Sequence, residues 1–61
     1  MRTVCYYIQN CSELEEVIGI IRDKFISFVD RDYVEMDYSE VRITARYEDL
    51  SSIEALIAPL V

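Results

Sequence analysis

Within residues 12–29 apolar side chains return every third or fourth position, whereas the runs on either side alternate position by position. The first period belongs to a helix and the second to strands. Leu14, Val17, Ile18, Ile21, Phe25, Phe28 and Val29 form one stripe, with Glu13, Glu16, Asp23 and Ser27 away from it. Ser12 stands in the N-cap position, and Glu15 three residues later completes a capping box. A helix over 12–29 would be about 27 Å long, enough to cross a small sheet.

The flanking runs read as strands. Over 3–9, Val4, Tyr6 and Ile8 share one face and Thr3, Cys5 and Tyr7 the other, with Asn10-Cys11 as the turn. Asp30-Arg31-Asp32 breaks the helical stripe. Over 33–38, Val34 and Met36 would point inward and Tyr33, Glu35 and Asp37 outward. Over 41–47, Val41, Ile43 and Ala45 would point inward and Arg42, Thr44 and Arg46 outward. Ser39-Glu40 is then a tight hairpin turn, although it lacks the Asn-Gly chemistry such turns favour. That turn would set Asp37 opposite Arg42 and Tyr33 opposite Arg46, with Glu35 between the arginines. A second capping box, Ser51 with Glu54, opens a shorter helix whose stripe is Leu50, Ile53, Leu56, Ile57 and Leu60; Pro59 marks its end.

Strand, helix, strand, strand, helix is a split βαβ unit of the α+β class. Each strand has one apolar face and each helix one apolar side, so a two-layer sandwich with both helices on one face buries them all. A right-handed crossover makes the first two strands parallel, and the hairpin puts the third between them. The expectation is one small domain over 1–61, a three-stranded antiparallel sheet of order 1-3-2. It resembles half of a ferredoxin-like sandwich, with the first strand's outer side lacking the fourth strand. Element order and acidity also resemble the DNA-damage-inducible proteins that modulate recombinase filaments. That likeness is one of topology, and no site residue follows from it.

The chain has 61 residues, so its core is small and self-association would help to stabilise it. Twelve acids against six bases give a net charge of −6, which disfavours direct binding to nucleic acid or anionic membranes. Basic or DNA-binding proteins suit it better as partners. No signal peptide is visible at the N-terminus, which points to the cytoplasm, where Cys5 and Cys11 would be reduced.

Equipment for catalysis is sparse. There is no histidine to act as a base near neutrality, and the single glycine rules out a glycine-rich phosphate loop. Cys11 lies before a helix N-terminus but has no partner base. The acids at Asp30, Asp32, Glu35, Asp37 and Glu40 lack the glycine that a calcium loop needs. No catalytic, cofactor-binding or metal-ligating residue is predicted, and no cofactor.

The predicted function is therefore that of a small acidic regulatory or inhibitory protein, not an enzyme, that binds a protein partner or itself. Residues 3–9 form an edge free of the lysine or proline that usually guards a lone strand, and they invite β-augmentation or a homodimer. The predicted partner-binding residues are Thr3, Cys5, Tyr7, Gln9, Tyr33, Glu35 and Asp37. A variant has Glu13, Glu16 and Asp23, with Asp30, Asp32, Glu48 and Asp49, imitate nucleic-acid phosphates, as small phage or mobile-element inhibitors do. The alternative is a dimeric module that holds a small molecule.

Overall fold

The computed structural model describes residues 1–9, 11–35 and 38–61. Strand β1 (Arg2–Ile8) leads through a 3-10 turn (Cys11–Glu13) into helix α1 (Leu14–Lys24). Strands β2 (Ser27–Glu35) and β3 (Tyr38–Ala45) follow, then a 3-10 turn (Tyr47–Asp49), helix α2 (Leu50–Ile57) and a final 3-10 turn (Ala58–Leu60). The sheet has order β1-β3-β2, antiparallel throughout, as the element order predicts. Among the described residues no helix is long and apolar enough to cross a membrane.

Central strand β3 explains the layering. Ser39, Val41, Ile43 and Ala45 are buried, while the residues between them are half-exposed. The buried set faces Ile8 on β1, Leu14, Ile18 and Ile21 on α1, Ile53 and Ile57 on α2, and Leu60 just after it. Both helices therefore cover one face and leave the other bare. Cys11 fits this layer as a small part-buried residue, its thiol 3.3 Å from the Oγ of buried Ser39.

The first helix is shorter than its stripe implies. It ends at Lys24, and Phe25 is already extended at φ −129° and ψ 147°, its N–H donating to the Ile21 carbonyl. Phe25, Phe28 and Val29 fit a helical stripe, but the same run alternates as a strand. Phe25, Ser27 and Val29 are half-buried, while Ile26 and Phe28 are 65% and 70% exposed. The aromatic and β-branched residues here suit a pleated surface. Pairing from Ser27 gives β3 a partner along its whole length, which tips the balance toward strand.

The hairpin is displaced for a related reason. Ser39 and Glu40 are not a turn but part of β3, opposite Ile8 and Tyr7 on β1. A turn there would leave the end of β1 unpaired. Consequently Asp30, not Asp37, lies opposite Arg42, and Tyr33 lies opposite Ser39 rather than Arg46. Glu35 lies opposite Tyr38, away from the arginines. The predicted inward Val34 is 58% exposed, at a register shift between Tyr33 and Glu35. Met36 and Asp37 lie outside the described residues.

Neither helix has its N-cap at the predicted serine. Glu13 and Asp49 occupy the N-cap positions without side-chain caps, because each helix is entered through a 3-10 turn. Glu15 accepts from Arg31 on β2, and Asp49 accepts from Arg46 Nε at 3.2 Å.

Candidate functional site

β1 is bonded to β3 along one side, and among the described residues no strand lies along the other. Helix α2 passes beside that free side. After Ala45 the extended Arg46 and the turn Tyr47–Asp49 carry the chain back toward the start of β1. There the Arg2 guanidinium sits 5.8 Å from the centre of the Tyr47 ring. Past the far end of β1 the Gln9 N–H donates to the Leu60 carbonyl at 3.3 Å. These two contacts tie the segment 47–60 to both ends of β1, so α2, in its middle, runs in the same direction as β1 beside the strand's central part.

Between strand and helix lies an open groove of about 620 Å³. One wall is residues 2–6; the other is Tyr47, Glu48, Leu50, Ser51 and Glu54. Val4 and Tyr6 are half-buried on the helix side. Burial, and then the nearby Glu54 carboxylate, push the Tyr6 phenol above its ordinary pKa. Backbone donors and acceptors along an unpaired strand, beside a helix with mixed apolar and acidic surface, are what an incoming strand requires.

On the bare sheet face, Thr3 and Thr44 share a hydroxyl hydrogen bond of 2.7 Å. The Cys5 thiol lies 3.4 Å from Glu40 Oε1, and partial desolvation followed by that carboxylate holds the thiol above its ordinary pKa. Arg42 reaches Asp32 at 2.9 Å and Glu40 at 3.0 Å, and Asp32 above all raises its pKa further. The Tyr7 and Tyr38 rings lie 6.4 Å apart, tilted at 51°. Arg42 is thus shared between two acids of this face, Asp32 and Glu40, while among the described residues Asp30 forms no ion pair.

Of the predicted contact residues, Thr3, Cys5 and Tyr7 share one face of β1. Gln9 lies just beyond the strand with its N–H already taken by Leu60. Tyr33 and Glu35 are on β2, across β3 from the others, so the predicted surface divides in two. Tyr33 lies beneath the Arg31 guanidinium at 4.4 Å. Asp37 falls outside the described residues. The acids proposed to imitate phosphates are also separated: Glu13, Glu16 and Asp23 belong to the helix layer, whereas Asp30 and Asp32 project from the bare face of β2.

The sequence reading missed the second wall of the groove, Tyr47, Leu50, Ser51 and Glu54. A signal existed: in order 1-3-2 two helices share three strands, so α2 must lie over β1. It also missed Phe28, whose exposure on the bare face follows from β2 beginning early. No protein-family model, curated protein or solved structure matches this chain.

Proposed function

We propose that this is a small acidic, non-enzymatic interaction protein that regulates or inhibits a protein partner by accepting one of its extended segments as a strand on β1. The observation that supports this most is the contrast in chemistry between the sheet's two margins. Residues 3–8 on β1 carry no charge and no proline, whereas β2 carries Asp30, Arg31, Asp32 and a register shift. Charge, inward-pointing ions and irregular pairing are how strands at a margin resist new partners. β1 lacks them and has a groove beside it.

Selecting peptides on the immobilised protein from a random display library, then mapping a synthetic winner by amide chemical shifts, tests the reading. The expected result is that shifts and new amide protection concentrate in Arg2–Ile8 and the groove. The double variant Thr3→Lys/Tyr7→Lys should abolish binding while Phe28→Lys retains it. Binding centred on Phe28 or on β2 would refute the proposal. A second reading draws on the groove volume of about 620 Å³, which falls within the roughly 300–1,000 Å³ of small-molecule sites. In it the protein dimerises around a metabolite, and a thermal-shift screen would reveal the ligand.

A further inference from the structure

We infer that the groove between β1 and α2 selects an extended partner segment with a basic residue two positions before an apolar one, running antiparallel to β1. The inference rests on the strand addition proposed above and adds the partner's chemistry.

Leu50 and Glu54 are four apart on α2, so they share a face and lie about 6 Å apart along the axis. Alternate residues of a strand are separated by roughly 6.8 Å. Because α2 runs alongside β1, a strand bonded to β1 presents every second side chain to that helix face. One falls at Leu50 and the next at Glu54. Antiparallel pairing is the more stable per residue, and it brings the incoming chain past Glu54 before Leu50.

Among the described residues no base forms an ion pair with Glu54. Arg2 is engaged by Tyr47 at the end of the groove, and Arg46 stands between Glu48 at 3.8 Å and Asp49 at 3.2 Å. An arginine or lysine arriving opposite Glu54 would find an exposed carboxylate, close to the part-buried Tyr6, that no base of the described residues already occupies. Leu50, half-buried, offers the apolar contact. A second copy of the chain fits poorly: pairing β1 with β1 brings both copies of Glu48 and Glu54 toward one groove, and each chain already carries −6.

Three capped octapeptides of alternating threonine and valine test this: the parent, one with arginine replacing the valine that would face Glu54, and one with glutamate there. Each is titrated into the protein and followed by amide shifts. The arginine peptide should bind about tenfold tighter than the parent and the glutamate peptide more weakly than either, with the preference shrinking as salt rises. Glu54→Gln should remove the preference, and Glu54→Arg should reverse it toward the glutamate peptide. Moving the arginine to the position after the apolar residue should lose the advantage.

If all three peptides shift β1 amides equally, strand addition stands and charge selection is wrong. If none perturbs β1, both fail. A dimer by light scattering at high micromolar concentration, with β1 amides protected without peptide, would also overturn the inference by giving the groove to a second copy.

Discussion

β1 and β2 both flank β3, and among the described residues each has one side without a strand partner, yet their side chains differ at every level. β2 carries an acid, a base and an acid at Asp30, Arg31 and Asp32, then slips in register before Glu35. Arg31 points toward the helices opposite Val41, meets Glu15, and keeps its side chain 14% exposed. β1 pairs in step with β3 from Arg2 to Ile8 and is uncharged after its first residue. An open margin is defined less by its missing neighbour than by whether its side chains would tolerate one. β2 would have to desolvate charges to gain a strand, and β1 would not.

The sharpest way to break the contrast is to give β2 the chemistry of β1. The triple variant Asp30→Thr/Arg31→Val/Asp32→Thr should begin to associate through β2. Its self-dissociation constant should fall at least a hundredfold, about 3 kcal/mol. Light scattering across a concentration series reads this directly. Arg42 keeps Glu40, and Glu15 is 75% exposed, so neither is stranded. A triple variant that stays as monodisperse as the parent would show that charge is not what separates the margins.

Next in size is the cost of losing Arg31 itself. Its stem packs over the helix-facing side of β2, and its Nε is buried without a hydrogen-bond partner. Arg31→Ala should destabilise the fold by about 1–2 kcal/mol through lost packing. Arg31→Leu should be near neutral, since it keeps volume and removes a poorly satisfied buried donor. Asp30→Ala, on the bare face, should stay within about 0.5 kcal/mol. Urea unfolding orders the three; equal losses for Arg31→Ala and Asp30→Ala would mean that Arg31 is not held as an inward charge.

Much of this contrast could be read without coordinates, and the unread part has a physical cause. The alternation over β1 and over Val41, Ile43 and Ala45 survives because one face of each strand is buried, which fixes the period. Chain order and handedness then give 1-3-2. The start of β2 was hidden because Phe25, Phe28 and Val29 satisfy both a helical and a strand period. What decides between them is the need of β3 for a partner, a contact distant in sequence. The same ambiguity displaces the hairpin, hides Phe28, and leaves Asp30, Arg31 and Asp32 off the strand to which they belong. The β1 half of the candidate site was thus legible. The guarding of β2, and the groove wall supplied by α2, emerge only when the elements are packed.

The mildest expected effect concerns Tyr6, the residue at which the groove beside β1 becomes measurable in solution. Burial first and Glu54 second raise its phenol pKa in the folded protein. The folded state therefore keeps a proton that the unfolded chain releases near pH 10, its ordinary value. By linkage, stability from this source is fully present below about pH 10 and is lost as pH rises through the higher folded value. Tyr6→Phe should flatten that alkaline decline, and Glu54→Gln should flatten it by a smaller amount, because burial is the larger cause. Urea midpoints from neutral pH to alkaline conditions give both. If Tyr6→Phe leaves the slope unchanged, the phenol is not sheltered beside Glu54, and the groove loses the feature that distinguishes β1 from an ordinary exposed strand.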